Sequence, residues 1–96
     1  MSQDVLEKPQ LDEKVAGLDG WTVDDGTLHK VVECEDFSEA FGFMARVALA
    51  AEAMNHHPDW SNSWNEVDIR VVNHAAGGIT DACIELAGKI DAVTPG

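Results

Sequence analysis

Residues 36–58 read Asp-Phe-Ser-Glu-Ala-Phe-Gly-Phe-Met-Ala-Arg-Val-Ala-Leu-Ala-Ala-Glu-Ala-Met-Asn-His-His-Pro. Asp36 with Glu39 three residues on has the spacing of a capping box, in which a short side chain accepts from the free N–H groups of a helix start and the acid reaches back. A helix is predicted to follow at once. From Ala40 to Met54 twelve of fifteen residues are apolar, and only Gly42, Arg46 and Glu52 are not. A helix that packs one face on a sheet needs an apolar stripe and no more. The second face calls for its own cover, and in a 96-residue chain the economical cover is another copy. The stretch therefore predicts a homo-oligomer with this helix at the interface. Pro58 lacks an N–H and disfavours helical geometry at His57, so the helix must stop at the pair His56–His57.

Upstream, residues 1–8 carry no periodic signal and are expected to be a flexible terminus, with a single domain over 9–96. Between Pro9 and Leu18 the apolar Leu11, Val15 and Leu18 recur at spacings of four and three, a short first helix. Trp21–Val23 and Thr27–Glu35 flank Asp24-Asp25-Gly26, the signature of a hairpin. In its second strand Leu28, Val32 and Cys34 share the core face, leaving His29, Val31 and Glu33 on the other. Downstream, 59–63 reads as a short edge strand or loop. In 64–73 Val67, Ile69 and Val71 alternate with Glu66, Asp68 and Arg70, a strand with one buried face. By that parity His74 lies off the packed face. Thr80 starts a last helix with Ile79, Cys83, Leu86, Ile90 and Val93 on one stripe. Hairpin-like strands and separated helices predict an α+β sandwich, an antiparallel sheet covered on one side.

Composition excludes several functions. A net charge of −12 with only six Lys and Arg argues against nucleic acid and anionic membranes as partners. Arg46 and Glu52 interrupt the longest apolar stretch, and nothing resembles a signal peptide, so the expected location is the cytoplasm. Cys34 and Cys83 lack metal-type spacing and read as reduced, buried thiols. There is no glycine-rich phosphate loop, no Gly-x-Ser-x-Gly elbow and no Cys-x-x-Cys pair.

What remains is His56, His57 and His74, with carboxylates nearby. Histidine suits proton transfer near neutral pH. The carbonyl end of the long helix favours imidazolium at His56 and His57, and Glu52, one turn earlier if the helix continues, stands where it would orient His56. Against a catalytic pair stand a plain surface turn and a zinc site built from the three histidines and Glu52. Adjacent histidines in an extended segment point to opposite sides, which disfavours one ion shared by His56 and His57. Trp60 and Trp64 have faces for a flat heterocycle, although packing is the commoner use of tryptophan.

The combination Glu52-x3-His56-His57-Pro58, Trp64 six residues on and His74 ten further resembles the signature of the pterin-4a-carbinolamine dehydratases. Phe41-Gly-Phe-Met-Ala-Arg-Val-Ala-Leu49 before it and Ile84-x-Leu86-Ala87 after it extend the likeness over roughly residues 10–94. The resemblance implies a four-stranded antiparallel sheet with three helices on one face, assembled into dimers or tetramers through strands and the long helix. It also implies dehydration of 4a-hydroxytetrahydropterin to quinonoid dihydropterin, supporting tetrahydropterin recycling without metal or organic cofactor. Carried over by position, His56 and His74 resemble the acid/base histidines and His57 the binding one. The backbones of Asn55–His57 and of Val72, Asn73 and His74 line the pterin edge, supported by Glu52 and Trp64. The alternative implied by some relatives is a non-catalytic dimerisation or coactivator-type module. The chain departs from the family at Cys83, where the pattern has an aspartate that either completes the cap of the last helix or orients His74.

Overall fold

A computed structural model of the chain describes residues 4–96 and contains the elements α1 (Gln10–Ala16), β1 (Thr22–Asp24), β2 (Thr27–Glu33), α2 (Phe37–Met54), β3 (Asp59–Ser63), β4 (Glu66–Val71) and α3 (Asp81–Val93). The strands form one antiparallel sheet in the order β1-β2-β4-β3, as the expected α+β class requires. Two short turns set its register. Asp25 and Gly26, with φ of 52° and 75°, close the first hairpin in the left-handed pair of conformations whose twist matches the strands. Trp64 (φ 51°) and Asn65 close the second, so that Ser63 faces Glu66 and Asp59 faces Arg70. The strand expected over 64–73 is therefore shorter, because Asn65 is drawn into this turn and clasps the end of β2. Its amide donates to the Cys34 carbonyl at 2.9 Å, and its own carbonyl accepts from the Cys34 N–H at 2.7 Å.

Alternation does the rest. Leu28 and Val32 of β2 and Val67, Ile69 and Val71 of β4 point to one face. There they meet Ala40, Phe43, Val47 and Ala51 of α2 and Cys83, Leu86, Ala87 and Ile90 of α3, all buried. Each large aliphatic or aromatic side chain buried here contributes about 1.5–3 kcal/mol. Leu11, Val15 and Leu18 bring α1 against the same core. Asp36 caps α2 as its spacing predicts, accepting from the Glu39 N–H at 2.8 Å, whereas the Glu39 carboxylate takes the N–H of Glu35 at 2.7 Å.

Of the terminus expected to be flexible, residues 1–3 lie outside the described residues. Within residues 4–8 the Leu6 N–H donates to the Ile79 carbonyl at 2.7 Å, and Val5 lies so close to Gly78 that a Cβ there would come within 2.7 Å of its methyl. On the outer side of α2, Phe37, Phe41 and Leu49 are 50, 62 and 74% exposed. Five of the six cations are spent on the protein's own acids (Lys8–Asp12, Lys14–Asp81, Lys30–Asp91, Arg70–Asp24, Lys89–Glu85), leaving Arg46 unpaired among the described residues.

Candidate active site

The helix end decides where the histidines go. Asn55 adopts the left-handed conformation (φ 52°, ψ 42°) and returns its N–H to the carbonyls of Ala51 and Glu52, so α2 stops before His56. One consequence corrects an expectation: with the helical spacing broken, Glu52 meets His57 (Nε2 to Oε1, 2.9 Å) and not His56. His56 turns inward, and its Nε2 lies 3.3 Å from the Sγ of Cys83 on α3. Cys83 is fully buried and occupies the third position of α3, where its sulfur accepts from the Thr80 N–H at 3.4 Å. The thiol thus stands in the capping position, and the histidine it touches is His56, not His74.

His74 leaves β4 on a loop closed by a bridge between Asn73 and Gly78, with the Asn73 N–H donating to the Gly78 carbonyl at 2.9 Å and the Asn73 side chain accepting from the Ala76 N–H. The ring is exposed, as strand parity predicts, and its Nε2 lies 2.7 Å from Oδ2 of Asp59. Asp59 had no role in the sequence reading. Its signal was present in the register: opposite Arg70, it shares the face that parity assigns to His74. Because β3 starts where β4 ends, the α2 exit, Asp59, His74 and the start of α3 gather at one end of the sheet. Asn55 and Val72 flank this cluster in the chain. Trp64 does not join it, since it sits 65% exposed in the turn at the other end of β3, and Trp60 packs against the core.

Electrostatics distinguishes the rings. Burial first, and then the neighbouring His57, hold the His56 imidazole below its ordinary pKa, against the imidazolium that the helix end was expected to favour. Cys34, apart from the site, has its thiol pushed up by burial and by Glu39 and Asp36. A depression of about 330 Å³ beside the cluster is lined by Asp59, Trp60, Ser61, Asp68 and Arg70. A larger one, about 530 Å³, lies away from the histidines, between Asp36, Glu39, Arg46 and Pro95. Among the described residues no three His, Cys, Asp or Glu side chains gather closely enough to hold a metal ion, and no helix is long and apolar enough to cross a membrane.

A sequence model of the pterin 4 alpha carbinolamine dehydratase family matches residues 4–93. The chain belongs to this family. It is similar to a Rhodospirillum rubrum protein provisionally named pterin-4-alpha-carbinolamine dehydratase, 48% identical over 92 residues that cover 94% of this chain and 96% of that one. A Prochlorococcus marinus protein with the same provisional name is 46% identical over 87 residues, covering 91 and 92%. The crystal structure of a transcriptional coactivator/pterin dehydratase from Brucella melitensis superposes with a TM-score of 0.92 at 37% identity, covering 96% of this chain and all of that one. The α+β architecture of the carbinolamine dehydratase family is thus that of this chain.

Proposed function

We propose that the chain removes water from 4a-hydroxytetrahydropterin to give quinonoid dihydropterin, the reaction that gives its family the name, and so supports tetrahydropterin recycling in the cytoplasm. Elimination needs one proton taken from the ring nitrogen beside C4a and one delivered to the departing hydroxyl. His56 and His74 handle these protons, His57 contributes binding, and the backbones of Asn55–His57 and Val72–His74 meet the edge of the pterin. The reaction as written needs no metal or organic cofactor. What supports the reading is one arrangement within a member of this family: His56 and His74 at the same end of the sheet, each with Nε2 held by a partner and Nδ1 left over among the described residues.

The test is a dehydration assay on freshly generated 4a-hydroxytetrahydropterin. General acid/base help is worth ~10²–10⁴-fold, so His56→Ala and His74→Ala are each expected to lose activity on that scale. No excess over the spontaneous rate in the wild type removes the enzyme reading. Full activity in both variants removes the assigned roles.

The chain is further proposed to act as a homodimer or homotetramer, supported by the exposed Phe37, Phe41 and Leu49 on α2. That face also supports the second reading, a coactivator-type interaction module. A module of this kind would keep its partner binding in both histidine variants and show no dehydration in the wild type.

A further inference from the structure

All three site histidines engage their neighbours through Nε2, but the neighbours are of two kinds. A carboxylate only accepts, so Glu52 and Asp59 fix the proton of neutral His57 and His74 on Nε2 and leave a lone pair on Nδ1. Cys83 differs. Its sulfur already accepts from the Thr80 N–H at 3.4 Å, and its own proton, fully buried, needs an acceptor. The acceptors within reach are His56 Nε2 at 3.3 Å and Thr80 Oγ1 at 3.6 Å. The imidazole nitrogen is nearer and the stronger base, and a thiol sulfur lone pair is a weak partner for a ring N–H.

We propose that Cys83 is a positioning residue that donates its S–H to His56 Nε2 and so holds that ring as the neutral Nδ1–H tautomer, the opposite of His57 and His74. The depressed basicity of His56 agrees with a neutral ring in this place. The consequence for chemistry, which rests on the dehydratase reading, is a division of roles. The ring-nitrogen proton of the substrate passes to Nδ1 of His74, giving an imidazolium that Asp59 stabilises, while C4a=N5 forms and C4a–O breaks. The departing oxygen takes the Nδ1 proton of His56 as the thiol proton moves to Nε2, so water leaves, His56 stays neutral and Cys83 becomes a thiolate. Return of the His74 proton through solvent to Nδ1 of His56, with the Nε2 proton passing back to the Cys83 thiolate, restores the resting state.

The test reads the tautomer directly by ¹⁵N NMR of the full chain at a pH where His56 is neutral, with its ring signals identified by their loss in His56→Gln. The expected result is a protonated Nδ1 and a bare Nε2 in the wild type and in Cys83→Ser, whose hydroxyl still donates. In Cys83→Asp, whose carboxylate only accepts, the pattern inverts. A protonated Nε2 in the wild type overturns the inference, as does an unchanged pattern in Cys83→Asp. Because the readout needs no turnover, an inactive protein with the Nδ1–H signature would sink the dehydratase reading and leave the tautomer standing.

Discussion

His56 receives two opposing influences, and their outcome sets a measurable pH dependence. The carbonyl end of α2 favours the charged ring by an amount that solvent screens within the last turn, whereas burial penalises it directly and His57 adds to that penalty. The native pKa therefore lies below the unfolded value of about 6.5. In the window just under that value the unfolded chain binds more protons than the native one, so stability falls as pH drops through it and is flat above. Denaturant titrations from pH 5 to 8 are expected to show this slope in the wild type and a shallower one in His56→Gln; equal slopes would contradict the assignment. At this scale the sequence was partly legible. Parity put His74 on the open side because a strand's period is two. The pairing of Glu52 could not be read, since one left-handed residue, Asn55, moved the partner from His56 to His57. Nor could the contact of Cys83 with His56, which joins residues 27 apart in sequence.

Among elements, one carboxylate joins α3 to the first hairpin. Asp91 accepts from Trp21 Nε1 at 2.8 Å, from Lys30 Nζ at 3.0 Å and from the Asp19 N–H at 3.1 Å, and its ion pair with Lys30 is largely buried. Asp91→Ala leaves the indole N–H and the ammonium without their partner, an expected loss of roughly 2–3 kcal/mol in urea unfolding. Asp91→Asn, which retains an acceptor for Trp21, is expected to lose less; equal stability of wild type and Asp91→Ala would deny the joint any role. Helix starts and core faces were readable, because caps and periodicity are local: Asp36, the stripe through Leu86 and Ile90, and the turn at Asp25-Gly26 all form as spaced. Asp91 was not, because its partners lie 61 to 72 residues away and nothing near it in the chain points to them.

For the molecule as a whole, α2 is the feature with an unmet requirement. Ala40, Phe43, Val47 and Ala51 satisfy one side, while Phe37, Phe41 and Leu49 stay half or more exposed among the described residues. Sedimentation at micromolar concentration is expected to find an assembly for the wild type and a folded monomer for Leu49→Glu; a monomeric wild type would refute the interface. The charge ledger adds a condition on that equilibrium. Each copy carries −12, and with five of its six Lys and Arg side chains already matched internally, Arg46 is the one left among the described residues to offer a neighbour. Copies therefore meet against mutual repulsion that dissolved ions must mask over a Debye length of about 10 Å at 0.1 M. Brine, which loosens most charge-steered complexes, should tighten this one.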